Sequence, residues 1–511
     1  MKKITIYVLL FAAIIVIYTL LLHPQVGVRK ILGDDIRYIL LSESIVKGYG
    51  YSDIFLPQPT PHPTFPPVVP LLITPVILFL GRNILLIKLI FFIFTILSLY
   101  LLYFVFRKML SEEDVLLLLI YVFAIHPLTA LMATEVMSES IYLPFSLLNI
   151  IFVERAANSK LSYLWLVIIF TVICFYTRSV GIILLPAVFL YLLLRKRYAR
   201  GIIFLSICTV FVSLWFIRMH FLHSKGYFLD LFAKDISLSG SPRATIIDLL
   251  RRTVYNGIIY LGKVVADVFF YPHFENITKD SFLFIFKFAI SMALTFFVIL
   301  GYLSSIRKHF HFLHVYVPFF VIVCISWPYN HSRFLYPIFP FLLVYVVECI
   351  KEISNRWGYK NLHVGFCIIL LMNSSCANIV EIYKLKTKGN IEEDMQSFME
   401  ALVWIKDNTK ETDIIMSLKP SFIYFYTGRH GIGYPAVLDK REIYRTIIQN
   451  DIDYVVADSL GYKYEEYGLW RTKKFLIPVI EEYKDSFEEA YRTKTQPYTY
   501  VYRVKCGRNR S

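Results

Sequence analysis

Charge is scarce in this chain. Only 18% of its 511 residues are Asp, Glu, Lys or Arg, while 57% are hydrophobic and 17% aromatic, a balance that excludes an ordinary soluble globular protein. Cysteine is sparse as well: there are seven, with Cys174, Cys208, Cys324, Cys349 and Cys367 inside or at the ends of apolar runs and none at a C-x-x-C spacing. A disulfide framework is therefore not expected. The sequence has no HExxH, no Walker-type glycine loop and no Ser-centred nucleophile elbow, so metalloprotease, nucleotide-hydrolysing and serine-hydrolase readings lack local support. Internal repeats and low-complexity tracts are missing too.

What fills the chain instead is a series of apolar runs near the length of about 20 residues that crosses a hydrocarbon core. A transmembrane barrel would alternate polar and apolar residues; these runs do not. They predict eleven membrane helices near residues 4–22, 84–106, 114–133, 139–154, 161–176, 179–194, 201–218, 282–303, 312–327, 334–350 and 361–378. The basic start MKK followed by a long apolar body, with no A-x-A-like cleavage site after it, reads as a retained first helix rather than a signal peptide. The proline-rich segment from Pro66 to Gly81 is short for a span and is read as an interfacial or re-entrant helix.

The net charge of +15 does not point to nucleic acid, because the basic residues sit in short loops rather than one patch. With eleven spans and Lys2 and Lys3 in the cytoplasm, the loops around Arg107, Arg155, Arg195, Arg307 and Lys351 are all cytoplasmic, as the positive-inside rule requires. Residues 23–83, the turn at 134–139, Arg178, the loop 219–281, the turn at 330–333 and the C-terminal region then face the other side. Residues 254–272 are amphipathic and are expected to lie along the membrane. From about residue 381 the composition turns soluble, which divides the chain into a membrane domain, 1–380, and an extracytoplasmic α/β domain, 381–511. Within the latter FMEALVWIKDNT and REIYRTIIQN read as helices, and DIIMSL, SFIYFYTG and DYVVAD as strands.

Acids and arginines converge on the non-cytoplasmic face. Asp34 and Asp35 open the segment GDDIRYILLSESIVKGYG, an imperfectly amphipathic helix at the membrane surface. One reading makes Asp34 its cap and Asp35 a complement to its dipole; the other makes one of them a general base aimed into a cavity. Glu135 and Glu139, in ATEVMSESIY, are read as an i,i+4 pair on one helix face, either as helix N-terminal acids or as site residues. Arg178 in FYTRSVG and Arg333 in YNHSRFLYP stand at external helix ends. Snorkelling explains an isolated arginine, but two arginines converging on one face beside carboxylates suit a phosphate ligand better, since a guanidinium matches phosphate oxygens in a bidentate fork. His62, between prolines, is a candidate substrate contact, as are Tyr38 and His331.

In order along the chain, these elements resemble the GT-C glycosyltransferases, in particular the branch of protein O-mannosyltransferases and the lipid A aminoarabinose transferase. DDIRY is similar to the D-E-x-x-Y motif of the first external loop, HPTFPPVVPLLITPVILFLG to the proline segment after it, MSESIY to the second acidic motif, and HSRFLYPIFPFLLVY to the R-Y-x-x-P-x-x-P motif. WIKDNTKETDIIMSLKPSFIYFYTGR resembles the tail that follows the membrane domain. The resemblance implies a polytopic α-helical GT-C membrane protein; short loops and no obvious organelle address point to a prokaryotic plasma membrane, with the N-terminus cytoplasmic by the positive-inside rule. The resemblance also implies a polyprenyl-phosphate sugar donor, a lipid, glycan or protein acceptor, and inverting transfer. Asp34 would be the base, with Asp35 leaving open which aspartate faces the site, Glu139 the second acid, and Arg333, with Arg178, the donor-phosphate ligand. A divalent metal serves oligosaccharyl-transferring relatives, whereas this branch implies none. The competing readings are a transporter or flippase of a lipid-linked sugar and a membrane-anchored binding protein.

Overall fold

The computed structural model describes residues 2–26, 33–222, 230–274, 282–359, 361–387, 392–462 and 470–505, with side chains from residue 8 onward. The expected sidedness of Lys2 and Lys3 therefore concerns side chains outside the described ones. The molecule is a multi-pass helical membrane protein with a small α/β unit near its C-terminus.

Every segment expected to cross the membrane is helical: α1 (Lys2–Leu21), α4 (Ile84–Phe106), α5 (Glu113–Ile125) with α6 (Pro127–Thr134), α7 (Ser138–Asn158), α8 (Ser162–Thr177), α9 (Leu184–Leu194), α10 (Tyr198–Phe221), and the helices Phe282–Lys308, Leu313–Ser326, Phe339–Arg356 and Leu362–Thr387. Among the described residues, five are long and apolar enough to cross alone: α4, α7, α10, Phe282–Lys308 and Leu362–Thr387. Others are short; α8, with 16 residues, rises about 24 Å. The run expected to be one span over 114–133 is two helices bent by 59°. The break falls at His126, before Pro127, whose ring disfavours helical backbone in the residue preceding it. Pro127 then opens α6, where its missing N–H costs nothing.

The segment after α1 is organised by helices too short to span. α2 (Asp34–Val46) buries Ile36, Ile39 and Leu40, and α3 (Val68–Leu80) packs against α2 and α4. A two-stranded antiparallel ribbon, β1 (Ser52–Asp53) and β2 (Thr60–Pro61), lies between them. The expected amphipathic segment is the helix Ile246–Ile259, continued by a π-turn into Val265–Phe269; Ile246, Ile247, Leu250 and Val254 are exposed on it, whereas Asn256 is buried.

The helix Leu362–Thr387 runs past the division drawn at 380/381, and the α/β unit starts with the helix Glu393–Asn408. Its sheet has the order β4-β3-β5-β7-β6, with β3 (Ile415–Met416) parallel to β4 (Gly431–Ile432) and β5 (Tyr454–Ala457), and β7 (Tyr500–Val504) antiparallel to β5 and β6 (Phe487–Arg492). Successive strand residues face opposite sides. Val456 and Val501 meet the helices Glu393–Asn408 and Pro420–Thr427 together with α2, whereas Val455 and Val504 meet Lys440–Gln449 and Ile477–Glu482. SFIYFYTG, expected as a strand, is the helix Pro420–Thr427, opened by a proline in its first turn and closed by Gly428 at φ 78.

Candidate active site

The first turn of α2 separates its two aspartates. Gly33 caps the helix at φ 77, a left-handed backbone natural to glycine. Among the described residues no side chain caps this end; Asp34 is the first helical residue, so it is not the cap that one reading made it. Asp35 turns into the protein, 1% exposed, its Oδ1 accepting the Ile36 N–H at 2.8 Å. Burial pushes its carboxyl up to about 7. Asp34 turns the other way and lines a cavity of about 290 Å³ with its side chain 30% exposed. Of the two acids, only Asp34 is among the cavity's lining residues.

Glu139 lies in the first turn of α7, 1% exposed. Its Oε2 is 2.5 Å from Arg178 Nη1, which also donates to Ser138 Oγ at 2.8 Å. Arg178 occupies the break where α8 gives way to a 3-10 turn over Ser179–Ile183, so its extended backbone lets the side chain reach across to α7. Arg333 arrives from a second 3-10 turn, Ser332–Leu335, placing Nη2 3.2 Å from Asp34 Oδ2 and Nε 3.9 Å from Glu139 Oε1. Segments 299 residues apart in sequence thus meet at one ion pair. Two carboxylates and two guanidiniums form a compensated cluster, as buried charges require. Arg178 Nε is buried and finds no hydrogen-bond partner among the described residues.

The cavity is amphipathic. Asp34, Ser138, Arg178 and Arg333 line its polar end, and Ile182, Phe320, Val323 and Phe334 its apolar wall. Tyr38, one helical turn from Asp34 and nearly buried, also lines it.

Other candidates lie elsewhere. Glu135 does not share a helix face with Glu139: it ends α6 in extended backbone, and its Oε2 pairs with Lys88 Nζ at 2.9 Å. The non-helical link between α6 and α7 breaks the i,i+4 geometry. Lys88, fully buried in α4, also donates to the Gln25 carbonyl at 2.9 Å. Sequence reasoning passed over it, although a lysine inside the apolar run ILLIKLIFFIF is costly enough to demand a partner. His62 is buried and does not line the cavity. Its Nδ1 lies 2.9 Å from both Asp53 oxygens, while Nε2 accepts the Phe65 N–H and meets Thr64 Oγ1, each at 2.9 Å. Burial lowers its pKa against the pull of Asp53. His331 does not line the cavity; its Nδ1 accepts the Arg333 N–H at 3.1 Å and so shapes the turn that carries Arg333.

Residues 62–220 match the family described as dolichyl-phosphate-mannose-protein mannosyltransferase. No curated protein sequence matches. Among solved structures, ArnT from Cupriavidus metallidurans in the apo state superposes with a TM-score of 0.58 at 10% identity, covering 98% of each chain. The same protein bound to undecaprenyl phosphate superposes at 0.56 and 10% identity, covering 97% of each chain. The chain has the GT-C fold and resembles the branch that holds protein O-mannosyltransferases and ArnT.

Proposed function

We propose that this protein is an integral membrane glycosyltransferase that moves a sugar from a polyprenyl-phosphate carrier to an acceptor hydroxyl. The single observation that carries the reading is the amphipathic cavity whose polar end joins Asp34 to Arg333 and Arg178. A ligand with a charged phosphate and a hydrocarbon chain matches both halves of that space. The similar ArnT is known with undecaprenyl phosphate bound, which fits a donor of this class.

In the proposed reaction the acceptor oxygen attacks the anomeric carbon while the bond from that carbon to the phosphate oxygen breaks. The hydroxyl proton passes to Asp34, and the lipid phosphate leaves carrying the electron pair. One displacement inverts the anomeric centre. Arg333 and Arg178 stabilise the charge that grows on the departing phosphate. The unmatched Arg178 Nε is a donor suited to a phosphate oxygen. A phosphate that competes with Asp34 for Arg333 would also release the carboxylate toward the acceptor. Glu139 holds Arg178 in place and does not touch the reacting atoms in this scheme. The site and the C-terminal α/β unit, which starts with the helix Glu393–Asn408, face away from the cytoplasm, where a lipid carrier replaces nucleotide sugars.

The test is transfer of radiolabel from a polyprenyl-phosphate sugar in membranes carrying wild type or Asp34→Asn. We expect the variant to lose transfer by about 10²- to 10⁴-fold. An unchanged rate removes Asp34 from the chemistry. Movement of the sugar lipid across vesicles with no covalent product would replace the transferase by a flippase.

A further inference from the structure

The C-terminal α/β unit places a lysine beside the proposed base. Lys419 is the residue before the helix Pro420–Thr427, which packs against α2. A Cβ built on Gly33 would lie 3.1 Å from Lys419 Nζ and 3.8 Å from the Phe422 ring. The ammonium therefore rests against the residue that caps α2, one position before Asp34. This is an unfavourable address, since the N-terminal end of a helix carries positive partial charge and Lys419 is half-buried. No carboxylate among the described residues forms an ion pair with it. Something must offset that cost.

The groups facing it come from both domains. Asp34, Asp35 and Arg37 lie on α2, and Asp458 follows β5. Asp458 Oδ1 accepts from the Leu460 N–H at 3.2 Å and the Thr472 hydroxyl at 3.0 Å, whereas Oδ2 is buried with no hydrogen-bond partner among the described residues. Beyond Asp34 stand Arg333, Tyr38, Arg178 and Glu139; beyond Asp35 stand Glu135 and Lys88. Burial lowers the Lys419 pKa, with Asp34 the strongest opposing influence, and burial pushes Asp458 up to about 7. Lys419 is thus an under-compensated cation whose strongest electrostatic partner is Asp34.

We propose that Lys419 is a positioning residue for the transfer reaction: through it the C-terminal domain holds the Asp34 carboxylate in its working charge state and orientation. This rests on the reading of Asp34 as base. Lys419→Met or Lys419→Gln removes the positive charge that rests against Gly33, one position before Asp34, and so weakens the local field that favours a negative charge there; the acidic limb of the rate profile is therefore expected to move to higher pH.

The experiment measures kcat and KM for transfer by the full-length protein in lipid, from about pH 5 to pH 9, for wild type, Lys419→Met, Lys419→Gln, Lys419→Arg and Asp34→Asn. Lys419→Met and Lys419→Gln should each shift the acidic limb of kcat/KM up by about one pH unit and recover at alkaline pH. The donor KM should stay within about twofold, and Lys419→Arg should follow wild type. The proposal is overturned if either neutral variant superposes on wild type, or if both lose activity equally at every pH. Asp34→Asn turning over at the wild-type rate would defeat the base reading itself, whatever the lysine variants do. Should Lys419→Met fail to fold, Lys419→Gln decides alone.

Discussion

At the scale of single residues, what matters is which charges are matched and by whom. Glu139 is almost fully buried and depends on Arg178. Arg178→Met would leave that carboxylate only its longer 3.9 Å contact with Arg333, at a cost of about 3 kcal/mol. The double variant Arg178→Met/Glu139→Leu removes both charges and should regain most of the lost thermal stability while staying inactive. Thermal unfolding in detergent alongside the transfer assay checks this; a double variant no more stable than the single one refutes the pairing. Asp34, Glu139, Arg178 and Arg333 were legible because each is a charged residue in or next to an apolar run. Which aspartate faces the cavity was not, since that depends on the rotation of α2 about its axis, fixed by packing of Ile36 and Ile39. The partner of Glu135 was equally hidden, because Lys88 is 47 positions away in a helix read only for its hydrophobicity.

At the scale of elements, the apolar runs announce helices, but not where those helices break or how closely they pack. SFIYFYTG reads as a strand from its aromatic and β-branched content, yet Pro420 and Gly428 bracket a helix in the way prolines and glycines do at helix ends. The bracketing residues were the better signal. Packing distance is set by residues that composition hides. A Cβ built at Gly301 would collide with the backbone carbonyl of Tyr345, so the helices Phe282–Lys308 and Phe339–Arg356 approach as closely as they do only because position 301 has no side chain. Gly301→Val should force them apart and lower stability by about 1–3 kcal/mol. Gly365→Ala, where a Cβ would meet nothing within 4 Å, should be neutral or slightly stabilising. Equal melting temperatures for the two variants would contradict this packing.

At the scale of the whole molecule, the C-terminal unit is joined to the membrane part by contacts that composition alone cannot foretell. The shift to soluble composition marked a second domain but said nothing of its docking. The Tyr426 hydroxyl donates to the Val26 carbonyl at 2.8 Å, the Gly431 N–H to the Phe55 carbonyl at 2.8 Å, and Arg82 reaches both Glu43 and the Phe425 carbonyl. Ile36, Ile39 and Leu40 share one apolar core with Phe398, Phe422 and Val456. Burying those three α2 side chains contributes on the order of 5 kcal/mol, much of which depends on the covering sheet domain. A chain ending at Thr387 should therefore keep its membrane helices but lose the order of residues 33–65. Amide exchange there should speed by at least about 100-fold relative to the intact protein, while exchange in α7 changes little. Transfer should fall for every acceptor, because the first turn of α2 itself loses its support. A truncated protein that keeps slow exchange across α2, or that loses only one acceptor, would mean that the domain selects acceptors and that α2 stands without it.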